Sequence, residues 1–219
     1  YRNGRNGMFK KDLGPLKAMG FARYEKRDGV ETAEIIEAAL NWRQDFLSTQ
    51  EGIALHCFLG NDKGHFADAI MASDQQSFMA MCEAHPQAKS SQEFMALLKP
   101  DSIRLTPNMI LKENVGVPTD FSCIEFGTFS PKSPEQFDEK TMLEISDRIE
   151  QKYLSKFVEP RAHFMGKVDD TTYSEIAFVE NLGMTRRICN GYVQDDTCLE
   201  LLNIFDPESV DLDFWFKLA

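Results

Sequence analysis

His56 and His163 stand 107 residues apart, and the same gapless offset pairs Gly20 with Gly127, Glu37 with Glu144, Gln44 with Gln151, Leu47 with Leu154 and Ser48 with Ser155. It continues through Cys82 and Cys189, Glu93 and Glu200, Pro100 and Pro207, and Ser102 and Ser209, to Leu111 and Leu218. Exchanges of like kind fill the spaces, among them Phe46/Tyr153, Phe66/Tyr173, Asp68/Glu175 and Ile103/Val210. A constant register with matching chemistry is the mark of one supersecondary unit used twice. The reading that follows is an arm at 1–16, a first unit at 17–112, a connector at 113–120 and a second unit at 121–219.

Local patterns say what each unit contains. Residues 17–27 read as a short strand, and 31–49 as a helix that places Ile35, Ala39, Trp42 and Phe46 on one face. In the second unit Ser133-Pro134-Glu135-Gln136 resembles a capping box with proline at the first helical position, opening a helix with Met142, Ile145, Ile149 and Tyr153 aligned. Two strands, 53–59 and 65–72, flank the turn residues Gly60-Asn61-Asp62-Lys63-Gly64 and form a hairpin. Helices then start near Ser73-Asp74 and at Ser91, and 103–111 alternates as a last strand. The order βαββαβ is the ferredoxin-like arrangement, an antiparallel sheet with helices on one face. Two uncovered sheet faces in one chain are expected to pack on each other.

On element order, unit length and duplication, the chain resembles the dimeric α+β barrel superfamily over roughly residues 17–219. That resemblance implies an α+β fold of two ferredoxin-like units with sheets face to face, here as an intramolecular barrel. It also implies the range of that superfamily: cofactor-independent monooxygenases, haem-handling enzymes, small isomerases, and ligand-binding or stress-response proteins. No catalytic motif of any one of these families is present to transfer.

Candidate chemistry comes from strand alternation. Ile53, Leu55, Cys57 and Leu59 suit the helix-covered face, so His56 is expected to point into the barrel interior, directly opposite Asp68 across the hairpin. The second unit places His163 opposite Glu175 in the same way. A carboxylate beside an imidazole fixes its tautomer and raises its basicity, as a general base near neutral pH requires. Alternation in the last strands adds Arg104, Asn108, Asp213 and Trp215, which with Arg161 would line a wet, polar interior able to hold a small ligand. His65 and His85 read as turn and helix-end residues.

Three functions fit these features. The first is a small-molecule enzyme, monooxygenase-like or isomerase-like, needing no dissociable cofactor, with His56/Asp68 or His163/Glu175 as base pair. The second is a non-catalytic small-molecule-binding protein, and the third a structural module with no ligand. No metal is expected, because no His/Cys group has ligand spacing. A net charge of −11 argues against nucleic acid. No apolar run approaches the roughly 20 residues of a membrane helix. Five cysteines without CxxC spacing read as reduced thiols. The expectations are thus a cytoplasmic protein, monomeric or weakly homo-oligomeric, with a small-molecule partner at most.

Overall fold

The computed structural model describes residues 9–157 and 162–219. Two compact units make up the described chain: unit 1 takes residues up to 109 with 113–117 and 217–219, and unit 2 takes 110–112 with 118–216.

Unit 1 runs β1 (Phe9–Lys10), β2 (Ala18–Tyr24), α1 (Thr32–Asp45), β3 (Ile53–Gly60), β4 (Phe66–Ala72), α2 (Gln75–Ala84), α3 (Lys89–Met95) and β5 (Arg104–Ile110). Its antiparallel sheet has the order β1-β3-β4-β2-β5. Phe9 and Lys10, read from sequence as part of an arm, pair with His56 and Leu55. The helices cover one face of the sheet. Ile35, Ala39 and Trp42 of α1 pack there with Tyr24, Phe58, Phe66, Ile70, Phe78 and Phe94. Fully burying side chains of this size contributes about 1.5–3 kcal/mol each, which holds α1 down more firmly than its intrinsic helix propensity could.

Unit 2 runs β6 (Cys123–Phe129), α4 (Glu139–Lys152), β7 (Ala162–Lys167), β8 (Tyr173–Val179), α5 (Leu182–Tyr192), α6 (Asp196–Leu202) and β9 (Asp211–Lys217). Its sheet order is β7-β8-β6-β9. Met142, Ile145 and Ile149 of α4 meet Met165, Tyr173, Ala177 and Ile188 on the helix-covered face. The helix begins later than the capping-box reading placed it. Pro134–Gln136 is a separate 3-10 turn, and Asp138 caps α4 by accepting from Thr141 N–H.

The late start reflects an insertion. Helices and later strands keep the 107-residue offset, but Ala18 pairs with Ala72 whereas Cys123 pairs with Val179, so β2 and β6 correspond at an offset of 105. The two extra residues lie between β6 and α4. Gly20 therefore corresponds to Glu125, and Gly127 to Ala22, which corrects the Gly20/Gly127 pairing read from sequence.

The hairpin register and facing also differ from expectation. His56 lies opposite Ile70 and Asp68 opposite Phe58; His163 lies opposite Ala177 and Glu175 opposite Met165. Each register is shifted by two residues, which leaves each histidine and its acid on a common face, diagonally related. That face is the helix-covered one, not the barrel interior. The misassignment has a physical cause: every residue of β3 is buried, so polarity does not distinguish its two faces. An irregularity between Ile53 and Leu55 also shifts the alternation.

Candidate functional site

In unit 1, α1 supplies Arg43, whose Nε–H donates to His56 Nδ1 at 2.9 Å. The ring therefore carries its proton on Nε2, which donates to Asp68 Oδ1 at 2.7 Å. Tyr24 O–H donates to Asp68 Oδ2 at 2.6 Å. All four residues are buried. Burial holds His56 below the ordinary histidine value, against the pull of Asp68, so the ring is neutral between a cation and an anion. Burial and the Asp68 charge push the Tyr24 hydroxyl far up.

Unit 2 repeats this layout with the helix charge reversed. Glu150 stands at the position of Arg43 and bonds His163 Nδ1 at 2.9 Å, while Glu175 bonds His163 Nε2 at 2.9 Å. Lys112 pairs with Glu150 and donates to the His163 carbonyl. Burial opposes a charge on His163, but the two carboxylates outweigh it and lift the ring to about 9. Burial likewise opposes charge on Glu150, and the bonds from His163 and Lys112 overcome it, holding that carboxyl below its usual range. His163 is thus an imidazolium at neutral pH. Tyr192 O–H donates to Glu175 at 2.6 Å, the part Tyr24 plays from a different element in unit 1.

Each of these networks reaches a crevice between sheet and helices of its own unit. The unit 1 crevice, about 200 Å³, is lined by Asp68, Tyr24, Trp42 and His85 among apolar residues that include Ile70, Phe78 and Leu105. The unit 2 crevice is larger, about 510 Å³, and is lined by Glu125, Glu175, Cys189 and Tyr192 among apolar residues that include Phe129, Leu201 and Phe205. Val193, Val210 and Leu212 line it while remaining well exposed, so the rim is apolar too.

Glu125 is the feature that sequence reasoning missed. It projects from β6 onto the helix-covered side, is 9% exposed, and accepts a hydrogen bond from the Cys189 thiol at 3.1 Å. Burial first, and the neighbouring Glu175 charge second, push its carboxyl up to about 7. A lone acid inside the apolar run Cys123-Ile124-Glu125-Phe126 is the signal that would have found it. Arg43 and Glu150 were likewise missed, although they carry opposite charges at the 107-residue offset.

The expected interior set does not assemble around either crevice. Asp68 and Glu175 line the crevices, but His56 and His163 sit behind them with both ring nitrogens bonded to side chains. Arg104 is exposed and donates to the Asp101 and Ile103 carbonyls. Asn108 is buried and donates to the Met19 and Thr106 carbonyls. Asp213 caps the Phe214 N–H, and Trp215 is buried. None of these four lines either of the two crevices. Arg161 lies outside the described residues. Among the described residues no group of three His, Cys, Asp or Glu side chains is placed to hold a metal, and no helix is long and apolar enough to cross a membrane. The five cysteines are free thiols.

No family model matches the chain, and no curated protein matches it. Solved structures do. A candidate monooxygenase from Fusobacterium nucleatum superposes with a TM-score of 0.67 at 10% identity, covering 94% of this chain and 93% of its own. An anthrone oxidase-like protein gives 0.61 at 10%, covering 97% and 95%. A heme-binding protein from Thermus thermophilus gives 0.55 at 10%, covering 100% and 96%. The chain has the fold of the dimeric α+β barrel superfamily, carried as two ferredoxin-like units in one polypeptide. At such identities the likeness defines the fold and leaves the chemistry to the residues.

Proposed function

We propose that the protein binds a small, largely apolar molecule in the unit 2 crevice and moves a proton on or off it with Glu125. The observation that carries this reading is a carboxyl raised to about 7 in an apolar crevice, beside a second carboxylate. A general base works best with a pKa near the operating pH, and burial with a like charge is how a glutamate reaches it. The Cys189 thiol occupies Oε2, leaving the other oxygen for the substrate proton. Tyr192, Glu175, His163 and Glu150 hold the acid's surroundings in place behind it. In this reading His56, Asp68, His163 and Glu175 orient their crevices and do not themselves exchange protons with substrate.

Two of the fold neighbours bear names of oxygenating or oxidising enzymes, which supports a carbon acid as the substrate class. Deprotonation of a carbon conjugated through flanking rings to a ketone gives an electron-rich enolate. For anthrone, that enolate reduces O2 to yield one anthraquinone and one water per molecule consumed, with all atoms and electrons balanced.

Haem, suggested by the name of another neighbour, does not suit the described residues. The larger of these two crevices is lined by no histidine, and its Cys189 and Tyr192 are both held protonated by burial and by the carboxylates they donate to. His85 lines only the crevice of about 200 Å³, too small for a porphyrin.

The test is oxygen uptake and anthraquinone formation with anthrone, comparing the wild type with Glu125→Gln. Expected are turnover by the wild type and a loss of about 10²-fold or more in the variant, with ligand-induced melting shifts retained. A rate unchanged by Glu125→Gln would overturn the base assignment. Absence of both turnover and any melting shift, with anthrone and a panel of tricyclic phenols, would overturn the crevice as the site.

A further inference from the structure

The unit 1 crevice corresponds in position to the unit 2 crevice, yet its polar groups differ in kind. Trp42 replaces Ile149, and His85 replaces Tyr192. The Trp42 indole is 4% exposed, and its Nε1–H has no hydrogen-bond partner among the described residues. His85 Nδ1 is buried and has none either. The two rings meet edge to face, with centroids 5.3 Å apart, and both line the crevice. A buried donor and a buried ring nitrogen without partners are unfavourable in the empty protein, and a ligand that engages them recovers that loss.

We propose that the unit 1 crevice is a second binding site, independent of the unit 2 reaction, for a small neutral molecule bearing one hydroxyl group on a compact aromatic or aliphatic body. A hydroxyl is the smallest group that accepts from an indole N–H while donating to a bare imidazole nitrogen. Its two lone pairs also serve the other tautomer of His85. The walls are apolar, formed by Ile70, Phe78, Met81, Phe94, Leu98 and Leu105, and about 200 Å³ admits a single ring. Burial keeps His85 below the ordinary histidine value, hence neutral at pH 7. The Asp68 carboxylate in the wall disfavours anions. Both its oxygens already accept a bond, from His56 and Tyr24, which lowers its pull on a ligand cation. Unit 2 cannot provide this recognition, because Ile149 has no donor and the Tyr192 hydroxyl is committed to Glu175.

The experiment uses the full chain labelled with ¹⁵N and two probes of matched shape, phenol and toluene. The chain has two tryptophans, so Trp42→Phe assigns their indole N–H signals. Affinities are read from amide signals of Met81 and Leu105. Phenol should move the Trp42 indole signal downfield and bind about tenfold more tightly than toluene, although toluene is the more apolar, as one satisfied neutral hydrogen bond implies. Trp42→Phe should remove that preference and leave toluene binding unchanged, so toluene reports that the crevice is still formed. His85→Phe, at a half-buried helix end, applies the same test outside the core. Toluene binding as tightly as phenol, an unmoved indole signal, or a phenol preference that survives both variants would overturn the proposal.

Discussion

Arg43 and Glu150 occupy the same position of their units and bond the same atom, Nδ1 of the unit's histidine, with opposite charge. The exchange bears on the protonation state of the ring. Burial first, and the Arg43 charge with it, keep His56 neutral against the pull of Asp68. Between Glu150 and Glu175 the imidazolium is what completes the pairing.

Arg43→Glu should therefore carry His56 from below the ordinary histidine value to above it, followed by the pH titration of its ring signals. Arg43→Leu removes the charge without an acceptor and leaves a buried ring nitrogen and Asp68 uncompensated. Breaking a buried charged network in this way costs about 3–5 kcal/mol, measurable by urea unfolding. Equal titration of His56 in wild type and Arg43→Glu would refute the charge argument.

Stability should fall as pH rises from neutral. His163 has a folded value of about 9 against an ordinary 6.5, so its stabilisation is complete below about 6.5 and lost as pH climbs through 9. The size is on the order of 3 kcal/mol, one pKa unit being about 1.4 kcal/mol. Glu125 acts in the same direction over a lower window. Its neutral form is favoured in the fold, so stability falls from about 4.5 through 7. His56 acts oppositely: with its folded value depressed, stability is lost as pH drops below 6.5. Melting temperatures from pH 5 to 10 should show a broad maximum with a marked alkaline decline. His163→Gln should flatten the alkaline limb.

Much of the fold was legible in the sequence, because helix periodicity, turn residues and the 107-residue offset are properties of single elements. What failed depended on relations between elements. Apolar content could not tell the two faces of β3 apart, since Leu55 and Cys57 are as buried as His56 and Phe58. The insertion before α4 was hidden by Gly20 and Gly127, identical residues that are not equivalent. That false match concealed Glu125, whose true counterpart is Gly20. The His–acid partners survived because a register error of two residues preserves the face, whereas an error of one would have separated them.

Tyr24 and Tyr192 reach their acids from different elements, and each gives a clean deletion. Phe129 stands at the Tyr24 position in unit 2, so the ring itself is tolerated there and Tyr24→Phe removes only the hydroxyl. Loss of a hydrogen bond to a buried carboxylate should cost about 1.5–3 kcal/mol. Tyr192→Phe should cost less, because Glu175 is more accessible than Asp68 and water can replace the hydroxyl. Denaturant unfolding of the two variants ranks them. A larger loss for Tyr192→Phe would contradict the burial argument.

Steric space accounts for the absence in unit 1 of a carboxyl where unit 2 has Glu125. A Cβ added at Gly20 would sit 2.2 Å from Cζ of Phe78, whose ring fills the space above the strand. At the corresponding position of unit 2 stands Thr185, small enough to leave that space to the Glu125 side chain. Gly20/Phe78 and Glu125/Thr185 are thus two ways to fill one volume, and neither half can be exchanged alone. Gly20→Ala should destabilise by about 1–3 kcal/mol through overpacking, and Phe78→Thr by about 3–5 kcal/mol through the cavity it leaves. The double variant should be no less stable than Phe78→Thr by itself, since the added methyl enters vacated space. That is a coupling of at least about 1 kcal/mol between residues in contact. Strict additivity in urea unfolding would show that Phe78 is not what keeps position 20 a glycine.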